Sequence, residues 1–139
     1  MALVVELLIR AAANLGRCIG AVKLLLDRRD NDDNTLLMTA ADTGRTRRLR
    51  FLVSAGADVN SQNIYGSSAL GFASEKGYIG IVNILLDNGA QIETRDNFGR
   101  TPLWFAAANG QTDVVRALPP PHTHRKLYRK KSLNYTVSY

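Results

Sequence analysis

The stretch Asp96-Asn97-Phe98-Gly99-Arg100-Thr101-Pro102-Leu103-Trp104-Phe105-Ala106-Ala107-Ala108-Asn109-Gly110 has the most regular pattern in the chain: a polar turn, a hydroxyl, a proline, an apolar run and a glycine. The Thr101 hydroxyl can accept hydrogen bonds from the free N–H groups of a starting helix. Pro102 suits the first helical position, where no backbone donor is needed. Gly110 can adopt the left-handed conformation that ends a helix. The stretch therefore predicts a turn followed by a short helix.

The same pattern recurs with a period of 33 residues. Equivalent positions hold Gly44, Gly77 and Gly110; Leu37, Leu70 and Leu103; Ala40, Ala73 and Ala106; Thr35, Ser68 and Thr101. A fixed period of this length is typical of a repeat architecture, in which one unit cannot bury its apolar face alone. Neighbouring units are therefore expected to stack and form a continuous core.

A second helix is predicted in each unit. Leu49, Leu52 and Val53 in one unit, and Ile81, Val82, Leu85 and Leu86 in the next, have helical spacing. Gly56 and Gly89 end these segments, and extended links at 57–60 and 90–93 lead to turns at Gly66 and Gly99. The predicted unit is helix, turn, helix and hairpin loop, and the fold class is all-α.

Residues 96–110 resemble the ankyrin repeat, and 63–77 and 30–44 resemble weaker copies. Gly56-Ala57-Asp58-Val59-Asn60 is similar to the link between repeats in that family. The resemblance covers roughly residues 1–118 and implies a solenoid of stacked helix-turn-helix units with hairpin loops, at about 1–32, 33–65, 66–98 and 99–118. It also implies a scaffold that binds another protein rather than an enzyme.

The ends of the array depart from the pattern. Leu8 to Gly16 fits a first helix with one inserted residue, with Val22, Leu25 and Leu26 on the second helix; we prefer this interpretation because it completes a helix pair. In the alternative, 5–15 is a second helix running into its loop. Asp30 to Asn34 replaces a full loop and predicts a stunted hairpin, and Pro119-Pro120-Pro121 ends the fourth unit.

The basic charge of the chain is concentrated at its C-terminus. The net charge is +6, and residues 119–139 hold five of the 18 basic residues and none of the 12 acidic ones. This composition predicts a basic, disordered tail, so a preference for nucleic acid would have to come from the tail. One cysteine, Cys18, cannot form an internal disulfide. The absence of a signal peptide pattern or a long apolar run favours an intracellular protein, cytoplasmic or nuclear, that does not engage a membrane.

No pattern indicates catalysis, a cofactor or a metal. Asp30-x-Asp32-x-Asn34 matches the start of a calcium loop, but Thr35 stands where glycine is needed and Ala41 where glutamate is needed. A polar turn entering a helix explains these acids better. His122, His124 and Cys18 are too few and too dispersed for a zinc site. Stacked helix pairs also offer a groove rather than a catalytic pocket.

Two alternatives to protein binding remain open. Arg45, Arg47, Arg48 and Arg50 cluster at the start of a second helix, where they and the basic tail could bind an anion or a nucleic acid. Solvated arginines with Arg48 extended past the core edge would explain the same residues. The break after Leu118 fits an array that is truncated and has little independent function.

Ile64, Tyr65 and Phe98 occupy turn positions that the fold does not need to be apolar, and aromatic residues on rigid loops make good interface anchors. The resemblance implies partner contacts at the hairpin tips and the exposed face of each first helix. It assigns them to Ile64, Tyr65, Ser67, Glu75, Lys76, Asn97, Phe98, Arg100, Ala108 and Asn109. Trp104, Met38 and Gly71 stand where the family usually has histidine, so the usual loop-bracing hydrogen bond is in doubt. Trp104 either packs on a neighbouring loop or faces the partner. The expected partner is another protein bound by a monomer.

Overall fold

The computed structural model describes residues 3–7, 10 and 19–119, and over these residues the fold consists of helices and loops. Residues 3–7 are helical. Seven further helices follow: α1 Ile19–Leu26, α2 Leu36–Asp42, α3 Thr46–Ser54, α4 Ala69–Lys76, α5 Ile79–Asp87, α6 Pro102–Ala108 and α7 Thr112–Ala117. The strand-like pairing seen in this part of the chain is one isolated bridge between Arg29 and Thr35. The all-α prediction is confirmed.

The first helix of each regular pair begins at a hydroxyl cap. The side chains of Thr35, Ser68 and Thr101 each accept a hydrogen bond, at 3.2 Å, from the backbone N–H three residues later. The cap satisfies one of the free donors of the first turn. Gly77 follows the second of these helices with a φ of +76°, a conformation that favours glycine. The period of 33 thus fixes where these helices start and stop.

The core runs without interruption through the stack. First helices pack on first helices (α2 on α4, α4 on α6), and second helices pack on second helices (α3 on α5, α5 on α7). Leu49, Leu52, Leu70, Ile81 and Leu85 are each at most 1% exposed. Burying such a side chain contributes about 2 to 3 kcal/mol relative to leaving it in water. Stacking therefore supplies the stability that a single pair of short helices lacks.

The N-terminal segment rests on the second helix of the next unit. Glu6 accepts a hydrogen bond from the Arg48 guanidinium at 3.3 Å, and the Arg10 guanidinium lies 5.9 Å from the Phe51 ring centroid. Val22 and Leu26 are buried on α1, so the predicted helix there is present. The predicted first helix at 8–16, its alternative at 5–15 and the Cys18 thiol lie largely or wholly outside the described residues.

The hairpin at Asp30 to Asn34 is shorter than the later ones, as predicted, but its turn is complete. The backbone bonds of this turn, Asp30 N–H to Asn34 O and Asp33 N–H to Asp30 O, are the same pair that closes the turns at 63–67 and 96–100. The chain is shortened before the turn. Residues 27–29 link α1 to this turn, whereas the longer segments 55–62 and 88–95 link the second helix to the turn in the later units. The turn survives because Asp33, with a φ of +64°, adopts the conformation that Gly66 and Gly99 adopt later.

The last helix stops at the proline run. α7 ends at Ala117, and Leu118 is 2% exposed and takes an extended backbone next to Pro119. A following proline disfavours helical backbone at the residue before it, which explains this end. The tail predicted to be disordered, including His122 and His124, lies outside the described residues from 120 onward. Among the helices of the described residues, none has the length and apolar character needed to cross a bilayer.

Candidate partner-binding surface

Each hairpin tip is held closed by one side chain at the same repeat position. The carboxylates of Asp30 and Asp96 and the amide oxygen of Asn63 each accept backbone N–H groups from the residues two and four positions later, at 2.8 to 3.0 Å. A side chain that accepts these bonds fixes the turn from inside. Sequence reasoning missed this role, although the Asp or Asn at intervals of 33 residues was a visible signal for it.

Two of the candidate calcium ligands, Asp30 and Asn34, are hydrogen-bonded to each other within the first turn. Asp30 accepts hydrogen bonds from the Asn34 backbone, the Asn34 amide and the Asp32 backbone. The backbone bond from Asn34, and then its side-chain bond, lower the pKa of Asp30 below its usual value. The residues that the structure describes contain no cluster of three or more groups able to hold a metal ion. A polar turn entering α2 accounts for the acids in this loop.

Successive tips are hydrogen-bonded to one another. Ile64 N–H donates to Asp32 O at 3.2 Å, and Asn97 N–H donates to Tyr65 O at 3.0 Å. The Asn97 amide also donates to Ile64 O at 2.8 Å, so this predicted contact residue braces the neighbouring tip. The three tips therefore form one connected row rather than three independent loops.

Four large apolar side chains on this row and on the helix beside it face solvent. Ile64 is 54% exposed, Tyr65 51%, Phe98 77% and Trp104 49%. We call these four residues the tip surface. The bonds between the second and third tips hold Ile64, Tyr65 and Phe98 on adjoining turns, so their exposed side chains share one side of the row.

Arg100 is the centre of a cluster at the third tip. Its Nε donates to the Asp96 carboxylate at 2.7 Å, and its guanidinium lies 4.7 to 5.2 Å from the ring centroids of Phe105, Phe98 and Trp104. The Trp104 ring meets Phe105 edge to face at 5.4 Å. Trp104 thus packs within its own unit while half of its surface stays open. Phe105 was not singled out in the sequence, since nothing local distinguishes it from a core residue.

Burial of the Asp96 carboxyl acts to raise its pKa, but hydrogen bonds from the Arg100 backbone, the Arg100 side chain and the Phe98 backbone outweigh burial and hold the pKa below its usual value. The carboxylate is 2% exposed, whereas the Arg100 side chain is 34% exposed. The Asp96 carboxylate is therefore buried and held by hydrogen bonds, whereas the Arg100 side chain is partly exposed to solvent.

The other predicted contact residues are more dispersed. Ser67 is half-buried beside the third tip, and the Glu75 carbonyl accepts a hydrogen bond from Gln111 at 3.1 Å. Lys76 is exposed with its Nζ 3.9 Å from an Asp42 carboxylate oxygen. Ala108 and Asn109 are exposed at the far end of α6. The last four of these residues lie at the C-terminal ends of α4 and α6, whereas Ser67 and the tip surface lie near the starts of these helices.

Met38 helps to cap the start of α2. Its sulfur accepts the Thr35 N–H at 3.5 Å while its own N–H donates to the Thr35 hydroxyl, so the two residues cap α2 reciprocally. Gly71 has no side chain, and Trp104 turns toward Phe105 and Arg100. The loop-bracing bonds come instead from the residues at the bases of the tips.

The arginine cluster is divided by the fold. Arg48 is paired with Glu6, and its side chain is 20% exposed. Arg45, Arg47 and Arg50 are exposed around the start of α3, which begins without a side-chain cap. The structure thus pairs Arg48 with the N-terminal segment and leaves the other three arginines exposed at the start of α3.

Comparison with known proteins gives a family-level result. A family model described as ankyrin repeats (3 copies) matches residues 8–96 and 60–125, well over half of the chain. No curated protein shows a significant match. Together with the stacked helix pairs, the match shows that the chain belongs to the ankyrin repeat family, whose repeats are generally protein–protein interaction modules and typically not enzymes.

Proposed function

We propose that this chain is a protein-binding scaffold whose partner docks on the tip surface, Ile64, Tyr65, Phe98 and Trp104, and reaches the exposed ends of the first helices at Lys76 and Asn109. The observation that carries the proposal is the exposure of four large apolar side chains, 49% to 77%, on adjoining turns and the helix beside them. Exposed apolar side chains are common singly, but a contiguous group indicates an interaction site. Aromatic anchors of this kind dominate binding energies at protein interfaces.

The rigidity of the row supports the same conclusion. Asn97 links the second and third tips through its backbone and its side chain, and each turn is braced internally. A surface that is already ordered loses little conformational entropy when a partner binds. The apolar side chains can therefore convert their burial into affinity more fully than side chains on a mobile loop.

The test is affinity capture from a cell lysate with the full chain and matched variants. The tip variant carries Tyr65→Ala and Phe98→Ala. The control is Leu24→Ala, because Leu24 is as apolar and as open, at 76% exposed, but lies on α1 away from the tips. A third variant lacks 120–139 and so removes most of the basic tail.

A captured protein that is retained by Leu24→Ala and by the tail deletion, and lost with the tip variant, supports the proposal. Truncating two anchor residues should reduce affinity by about 30-fold or more. Capture that is unchanged in the tip variant contradicts it. Capture that requires the tail and falls steeply with salt would favour the anion or nucleic-acid alternative instead.

A further inference from the structure

The third tip holds an arginine with its charged end already oriented. Phe105, Phe98 and Trp104 surround the Arg100 guanidinium at 4.7, 4.9 and 5.2 Å from their ring centroids. A guanidinium stacked on rings keeps its hydrogen-bonding edges available, because the rings contact its faces. The edge-to-face contact of Trp104 with Phe105 holds two of these rings together.

Asp96 occupies only one edge of this guanidinium. Its Oδ2 accepts the Nε–H at 2.7 Å, while its Oδ1 is used by the backbone of the turn. Over the residues described, the two terminal nitrogens of Arg100 donate no hydrogen bond to the protein. Four N–H donors of a side chain that is 34% exposed are thus presented to solvent in a fixed direction.

Arg100 also lines a shallow, open depression between the third and fourth units, together with Phe105, Asp96, Ser67 and Thr94. A partner group that binds Arg100 therefore approaches from solvent and does not enter an enclosed cavity. Phe98 and Trp104 stand beside it, on the tip surface.

We infer that Arg100 is the docking point for a carboxylate side chain of the partner, an aspartate or glutamate placed next to an apolar or aromatic residue that packs on Phe98 and Trp104. The inference rests on the proposed function, because it assigns a chemistry to one end of the tip surface. Two parallel N–H groups of a guanidinium match the two oxygens of a carboxylate. A single charge fits better than a doubly charged phosphate, since Asp96 already shares the arginine.

The charges on the first and third tips favour one orientation of a partner segment along the row. The first tip carries Asp30, Asp32 and Asp33, with Arg29 paired to Asp33 at 3.1 Å, whereas the third carries Arg95 and Arg100 against Asp96. The row therefore runs from acidic through apolar to basic. A partner segment whose acidic residue lies at the third tip avoids the like charges of the first tip.

The test begins with a displayed library of random peptides selected on the immobilised full chain. Selected peptides should be enriched in aspartate or glutamate beside an aromatic or aliphatic residue. One selected peptide is then synthesised with its acidic residue and with the corresponding amide, and both are titrated against the wild type, Arg100→Gln and Arg116→Gln. Arg116 is the control, because it is exposed on α7 and losing it changes the net charge by the same amount.

On the wild type and on Arg116→Gln, the amide peptide should bind about tenfold more weakly than the acidic one, as for the loss of one hydrogen-bonded charge. On Arg100→Gln the two peptides should bind equally. If the acidic and amide peptides differ by less than about twofold on the wild type, the inference is overturned even if Arg100→Gln does not fold. Binding that is still lost with Tyr65→Ala/Phe98→Ala would then leave the proposed function standing, whereas peptides indifferent to those substitutions would overturn both.

Discussion

The Tyr65 hydroxyl donates a hydrogen bond to the Asp32 carboxylate at 3.3 Å and so joins the second hairpin tip to the first. The negative charge of Asp32, and then the hydrogen bond itself, raise the pKa of Tyr65 above its usual 10.0. A raised pKa means that the folded protein favours the protonated phenol. The contribution of the pair to stability is therefore complete below pH 10 and is lost as the pH rises through the pKa of the folded state.

Replacing Asp32 with Asn should lower the pKa of Tyr65 toward its ordinary value, because the charge is removed and the amide is a weaker acceptor. The measurement is a tyrosinate absorbance titration, with the same titration of Tyr65→Phe subtracted to isolate one of the five tyrosines. Asp87→Asn is the control, since Asp87 is an exposed acid on α5. An unshifted Tyr65 titration in Asp32→Asn would mean that the two tips are not joined by this bond.

Asp96→Asn and Asp96→Ala separate the two tasks of Asp96. Asn keeps an oxygen for the Phe98 and Arg100 N–H groups, as Asn63 does in the previous unit, but loses the charged bond to the Arg100 side chain. We expect Asn to lower the free energy of unfolding by about 1 kcal/mol and Ala by about 2 to 3 kcal/mol. Chemical denaturation measures both changes. Equal losses of stability would show that the turn does not depend on a side-chain oxygen at position 96 that accepts the Phe98 and Arg100 N–H groups.

The same carboxyl predicts a pH dependence. Because the pKa of Asp96 is lowered in the folded protein, its contribution is present above the usual value of 3.8 and is lost as the pH falls through the folded value. The stability gap between the wild type and Asp96→Asn should therefore be constant near neutral pH and close in acid. Denaturation midpoints measured from pH 7 down to about pH 2.5 check this, and a gap that persists at the lowest pH would contradict it.

The sequence predicted the regular part of the fold because caps, glycines and apolar spacing are local features that repeat every 33 residues. It predicted a shortened first hairpin but not that its turn is complete, because Asp33 stands where the later turns have glycine. The exposure of Tyr65 and Phe98 could be expected from their turn positions alone. It could not predict that Tyr65 bonds to Asp32 or that three rings converge on Arg100, because these contacts depend on how units stack and on rotamers.

Gly66→Ala and Gly99→Ala compare one backbone conformation in two surroundings. Both residues have a φ near +76°, which costs a residue with a Cβ about 1 to 2 kcal/mol. A Cβ on Gly99 meets no atom within 4 Å, whereas one on Gly66 would lie 2.8 Å from the Asn97 side-chain oxygen and 2.9 Å from its backbone nitrogen. We expect Gly66→Ala to be the more destabilising, by about a further 1 kcal/mol, in thermal or urea unfolding. Equal losses of stability in the two variants would show that Asn97 can move away from the added Cβ without an energetic penalty.

Ser68→Ala and Ser74→Ala make the same chemical change at the start and in the interior of α4, and they should have opposite effects. The Ser68 hydroxyl accepts the Gly71 N–H at 3.2 Å, so its loss should destabilise the protein by about 1 kcal/mol. The Ser74 side chain is 0% exposed, and its hydroxyl has no hydrogen-bond partner in the described part of the chain. A buried hydroxyl without a partner costs about 1 to 3 kcal/mol.

Alanine occupies the Ser74 position in the previous unit, where Ala41 is also 0% exposed, so the smaller side chain is compatible with buried packing there. Ser74→Ala should therefore raise the free energy of unfolding by about 1 kcal/mol, since the loss of the oxygen leaves little space behind. Urea denaturation of the three proteins, followed by the helical circular dichroism signal, measures both changes on one scale. If Ser74→Ala lowers the midpoint as Ser68→Ala does, the hydroxyl has a partner, and a buried water would be the first one to seek.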